Sequence, residues 1–183
     1  MAKLIGGFLA GLALAAALAW GLAGGLMFKE MPSPYGVEET AARIQQNIQA
    51  AGNNWELVGL RNPGKAVEKD GGNTLPVLMV EACSTRYSGP ILKNDSLRML
   101  SILMPCKISV YKKSDGKVYI GMMNARLIGS LFGTDVGELM AQVAADQERF
   151  VTFDPAKPAP ALIRGTPGSA GGAGGGAGSG GGC

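Results

Sequence analysis

Between Lys3 and Lys29 the chain carries no charged residue, and the run Leu4–Phe28 is mostly Leu, Ala and Gly. About twenty apolar residues are enough to cross a bilayer as a helix, whereas a secretory signal has an apolar region of only about 7–15. The run is therefore read as one uncleaved membrane anchor, residues 1–30. Ala17-Leu18-Ala19 has the form of a cleavage site but falls inside the run. Lys3 precedes the run, and Lys29 and Glu30 cancel after it. The positive-inside rule then puts the amino terminus in the cytoplasm and the rest on the far side of an inner membrane, in the periplasm of a bacterium. Small residues recur every fourth position, as Gly7, Gly11 and Ala15 on one stripe and Gly21 and Gly25 on another. Such stripes let helices approach closely in lipid, so this one is expected to pack on other membrane subunits or a second copy.

What remains to fold is short. Residues 165–183 are almost all Gly, Ala and Ser, ending in Cys183. A segment of that kind buries too little apolar surface to order itself. The division expected is an anchor over 1–30, a linker over 31–36, one α+β domain over 37–153 and a Pro/Gly-rich tail over 154–183. The net charge is +3 with no run of Lys or Arg, which argues against nucleic acid as a partner. No histidine is present, and this excludes histidine triads, histidine-bound haem and most catalytic zinc sites.

Periodicity outlines the domain. Val37, Ala41, Ile44, Ile48 and Ala51 repeat at helical spacing, with Glu38 and Glu39 suiting the first turn. Trp55–Leu60 and Pro76–Cys83 read as strands around a polar loop, 62–73. Ser84–Asp95 reads as a turn with a short helix, and Leu97–Met104 fits either state. Cys106–Lys112 and Lys117–Met123 flank Ser114-Asp115-Gly116, a hairpin signal. A last helix from about Asp135 to Phe150 places Val136, Leu139, Met140, Val143 and Phe150 on one face, with Asp135 and Glu138 forming a capping box. The fold class expected is α+β, an antiparallel sheet with helices on one face, preceded by one transmembrane helix.

Four segments together resemble the family called domain of unknown function 302. They are Glu38-Glu39-Thr40 opening the first helix, the strand Val77–Ala82 running into Cys83, Met104-Pro105-Cys106 leading into Lys107–Tyr111, and the turn Asp115-Gly116-Lys117-Val118. The resemblance covers residues 35–151 and implies a compact α+β fold with a curved antiparallel sheet. It implies little about activity. Members often carry Asn-Pro after the first cysteine, where this chain has Ser84-Thr85.

Cys83 and Cys106 are the candidates for chemistry, one ending a strand and the other starting one. A disulfide between them would contribute about 3 kcal/mol in the chain-entropy picture. A redox or sulfur-carrying pair needs a lowered thiol pKa, for which Lys107 and Arg86 could supply positive charge. No cofactor or metal is expected; copper(I) is the one alternative to weigh, with Met104 beside the cysteines and Met79, Met122 and Met123 as further soft ligands. Two buried thiols acting as small hydrophobes is the plainer alternative. Glu81 lies two residues before Cys83 on the same face of its strand. Tyr87, Tyr111 and Tyr119 are too scattered to suggest a stacking platform. The function expected is an accessory or interaction subunit of a membrane complex, not an enzyme. The alternative is a membrane-tethered thiol protein using Cys83 and Cys106.

Overall fold

The computed structural model describes residues 24–164 and, before them, Gly7, Gly11, Leu12 and Ala17. Five strands form one antiparallel sheet in the order β1-β5-β4-β3-β2. They are β1 Phe28–Ser33, β2 Trp55–Arg61, β3 Val77–Ser84, β4 Cys106–Lys112 and β5 Val118–Met123. Helix α1, Val37–Ala50, follows β1, and its stripe of Ala41, Ile44 and Ile48 is fully buried. It packs on β2, β3 and β4. Asn53 and Asn54, both with positive φ, turn the chain from α1 into β2. Leu78, Val80 and Ala82 of β3, Ile108 and Val110 of β4, and Ile120 and Met122 of β5 supply the sheet's side of the core. They alternate along each strand, as one covered face requires.

The α+β class and the antiparallel sheet hold, and so does the helix from Val37. Several expectations need correction. The segment read as a linker is partly β1: Phe28–Ser33 pairs with β5 from Phe28↔Met123 to Ser33↔Val118. Pro32 is tolerated there because β1 is an edge strand. The polar loop at 62–73 contains a short helix, α2, Gly64–Lys69. The ambiguous stretch is a 3-10 helix, Arg98–Leu103, between α3, Thr85–Leu92, and β4. After β5 come α4, Ala125–Ser130, and α5, Thr134–Phe150. The capping box does not form. Gly133, at φ 91°, precedes α5 without a side-chain cap, and Asp135 already sits in the first turn. Only glycine takes that φ at little cost.

Among the described residues no helix is long and apolar enough to cross a membrane. The anchor falls almost wholly outside them, as do Ala15 and Gly21. Gly7, Gly11 and Gly25 are helical and exposed, and a Cβ on any of them would touch nothing within 4 Å.

The proline-rich segment after Asp154 folds back along α1. Gln45 Nε2 donates to Ile163 O at 2.9 Å, and Ile163 N donates to Gln45 Oε1 at 2.9 Å. Arg43 reaches the carbonyls of Asp154 and Lys157, Arg164 pairs with Glu38 at 2.7 Å, and Leu162 and Ile163 pack against the core. The surface that orders this part of the tail is the domain's own. Residues 165–183 lie outside the described residues.

Candidate functional site

The two cysteines do not form a bridge with each other. Cys106 keeps a free thiol, while Cys83 is disulfide-bonded. Register gives the reason: Cys106 lies opposite Ala82. Cys83 is therefore one residue out of register with Cys106 and is not its cross-strand neighbour. Burial pushes the Cys106 thiol up to about 11, against a weaker opposite pull from Lys107. The thiolate, which is the nucleophile, is therefore scarce at pH 7. The positive charge anticipated from Lys107 is present and loses to desolvation. Glu81, the base considered for the thiol, pairs with Arg61 at 3.1 Å.

Both cysteines border a cavity of about 40 Å³ at the end of the sheet where β3 stops and β4 starts. One wall comes from α3 and the 3-10 helix through Tyr87, Ser88, Ile91, Leu100, Leu103 and Met104. The other comes from the α4–α5 pair through Ile128, Phe132, Val136, Leu139, Met140 and Val143. That space admits two or three waters, whereas sites for cofactors and drug-sized ligands run to about 300–1,000 Å³. The walls meet closely because Gly129 and Gly137 lie where α4 crosses α5. A Cβ on Gly129 would fall 2.3 Å from Met140 Cβ.

The softer copper partners are dispersed. Met122 belongs to the core and Met123 packs against it, whereas Met79 lies beside Ser109 and Tyr111. Met104 alone joins Cys106 at the cavity, along with Met140. Among the described residues no three Cys, Asp or Glu side chains gather as a metal site.

Sequence reasoning missed the polar hub beside this cavity. Asp146 of α5 is buried, and its Oδ2 accepts from Trp55 Nε1 at 2.7 Å, Tyr87 OH at 2.8 Å and Asn53 Nδ2 at 3.1 Å. Arg149 pairs with Oδ1. The Trp55 ring meets Phe150 edge-on at 5.0 Å and Tyr87 at 5.8 Å. One carboxylate thus ties the α1–β2 turn, β2, α3 and α5 together. No local spacing links residues so far apart in sequence.

The uncovered face of the sheet carries a second polar cluster. Tyr111 and Tyr119 stack with centroids 6.3 Å apart. They are paired across β4 and β5. Tyr111 OH donates to Glu30, Lys113 Nζ lies 2.7 Å from the same carboxylate, and that ammonium sits 4.2 Å from the Tyr119 ring centre. Lys113 and Tyr111 hold Glu30 below the usual carboxylate range. Burial, reinforced by Glu30, pushes the Tyr111 phenol up to about 12. The two tyrosines are not scattered. They stand four residues either side of Asp115, so the Asp-Gly turn carried the signal that pairs them.

The family profile described as "Domain of unknown function DUF302" matches residues 29–152. The chain belongs to this family. Among solved structures it is similar to an uncharacterized conserved DUF302 protein from Bacillus stearothermophilus. The TM-score is 0.60 and the identity 17%, over 68% of this chain and 95% of that one. At that identity the likeness shows the fold alone. No curated protein matches the chain. The DUF302 match takes in β1, in agreement with its place in the sheet, and stops before the segment that folds back along α1.

One end of the DUF302 domain is unusually apolar. Phe28 is 65% exposed, Met99 73%, Ile102 83%, Leu131 64% and Phe132 42%. Phe28 starts β1, Met99 and Ile102 lie in the β3–β4 connection, and Leu131 and Phe132 follow β5. Antiparallel pairing brings these points to one end of the sheet. The opposite end carries only Val67 and Leu75 as exposed large apolar side chains among the described residues.

Proposed function

We propose that this protein is a membrane-tethered interaction module, an accessory subunit whose DUF302 domain binds rather than transforms its partner. The observation that carries the reading is the coincidence of two apolar features at one place. The uncharged run Leu4–Phe28 enters the domain at Phe28, where the exposed Met99, Ile102, Leu131 and Phe132 also gather. Exposed apolar side chains gathered at one end of a small domain mark a place that something else covers. The positive-inside rule puts the domain outside the cytoplasm, and the disulfide at Cys83 fits an oxidising compartment. A high-pKa thiol at Cys106 supports a structural role for that residue over thiol chemistry.

The test is to wash membranes carrying the full chain with alkaline carbonate and extract the pellet in mild detergent for size analysis. The expected result is a chain retained by the membrane and extracted as a larger assembly. A chain released by carbonate as a monodisperse monomer would sink the proposal.

A further inference from the structure

The apolar end is also where the chain enters the domain, and the entry is fixed. Residues 24–27 are helical and run into β1 with no residue between. Asn124, at the end of β5, holds the junction. Its backbone N donates to Met27 O at 2.8 Å and its Nδ2 donates to Leu26 O at 2.9 Å. A tether pinned this way holds the apolar end next to whatever receives the N-terminal run.

We infer that this end of the domain seats on the surface of an anionic lipid bilayer, with Met99, Ile102, Leu131 and Phe132 entering the headgroup layer. The inference rests on the tethered reading above and adds a contact that the tether alone does not require. Charge complementarity points the same way. Arg86, Lys93, Lys107 and Arg126 are exposed at this end and form no ion pair among the described residues. The carboxylates at the same end are Asp95, paired with Arg98 at 2.7 Å, Glu148, paired with Lys29 at 2.7 Å and also felt by Arg126, and the exposed Asp135 and Glu138. Apolar side chains ringed by exposed cations are the pattern by which a protein surface lies in a lipid interface. Anionic headgroups attract basic side chains held within a Debye length.

The experiment uses the full chain in vesicles of equal parts phosphatidylglycerol and phosphatidylcholine, in pure phosphatidylcholine vesicles, and in detergent. Flotation is scored first and amide hydrogen exchange second. Exchange over residues 98–104 and 126–133 should slow about tenfold on the anionic vesicles, the scale of a local opening made rarer by contact. Residues 64–75, at the other end, should not change. The slowing should be lost on pure phosphatidylcholine and in the double variant Lys93→Glu/Arg126→Glu, whose substituted side chains are exposed. If the chain floats but both segments exchange as fast as in detergent, the seat is wrong and the tether stands. If the chain does not float, the tethered reading itself falls. Equal slowing on pure phosphatidylcholine overturns the recognition of anionic headgroups. Slowing in detergent that grows with protein concentration means a second copy covers this end, which also overturns the inference.

Discussion

Replacing Asp146 with alanine removes one carboxylate and strands several donors at once. Trp55 Nε1 and Tyr87 OH donate to it in buried hydrogen bonds at 2.7 and 2.8 Å. A buried donor left without a partner costs about 1–3 kcal/mol, so the two together cost roughly 2–6. Asn53 and Arg149 lie nearer solvent and can turn to water, adding little. The neighbouring cavity, bordered by both Trp55 and Tyr87, has room for a water that partly replaces the carboxylate. The expected loss is therefore about 2–4 kcal/mol, a large share of the roughly 5–15 that holds a domain folded. Urea unfolding of the full chain carrying Trp20→Phe, in mild detergent and followed by Trp55 emission, should show a midpoint lower by about 1–2 M with an unchanged slope. Tyr87→Phe alone should cost about 1–2 kcal/mol, because it removes one donor and leaves the carboxylate satisfied by the others. Adding Tyr87→Phe to Asp146→Ala should cost almost nothing, since the hydroxyl it removes is already orphaned. Strict additivity of the two, or a midpoint shift below about 0.3 M for Asp146→Ala, would refute the claim that this carboxylate organises the cavity end.

Other outcomes follow from the same geometry. Alkylation of Cys106, read by peptide mass spectrometry, should keep accelerating up to about pH 11, and a plateau near pH 9 would contradict the burial argument. Its folded pKa is raised, so its contribution to stability is complete below pH 9.0 and is lost as pH rises toward about 11. Gly129→Ala should destabilise by about 1–3 kcal/mol, because the new methyl meets Met140 Cβ at 2.3 Å and forces α4 away from α5. A variant that melts with the parent would show that the helices slide apart freely. Gln45→Ala removes both bonds to Ile163 and should speed proteolysis between Asp154 and Arg164 several-fold while the sheet persists. Unchanged cleavage would mean that Leu162 and Ile163 hold the segment by packing alone.

What the sequence made legible is what short-range pattern encodes. The stripe Ala41, Ile44, Ile48 repeats at helical spacing, and α1 is where that repeat puts it. Asp115-Gly116 marks the β4–β5 turn, and Gly116 does take a positive φ there. Edge strand β1 was hidden because Pro32 and Pro34 read as breakers. An edge strand needs only one of its sides hydrogen-bonded, so its register with β5 survives a proline. The capping box at Asp135 failed because the helix is capped at Gly133, two residues earlier than the motif requires.

The cysteine pair shows the limit from the other side. Residue identity suggested a bridge between Cys83 and Cys106, and a one-residue offset in strand register was enough to forbid it. Register is set by the whole ladder and its turns, which no pair of residues reports. The apolar end has the same character. Phe28, Met99, Ile102, Leu131 and Phe132 look like ordinary members of five separate segments until antiparallel order gathers their connections. An N-terminal run that meets the fold there ties a property of the sequence to a property of the topology. Removing the apolar side chains from this end should leave the fold intact and abolish the orientation. Met99→Ser with Ile102→Ser is the minimal version. Both side chains are more than 70% exposed, at 73% and 83%, so the cost to stability should stay within about 0.5 kcal/mol. The protection of residues 98–104 on anionic vesicles should then disappear. A variant that keeps full protection would show that the seat does not depend on these side chains.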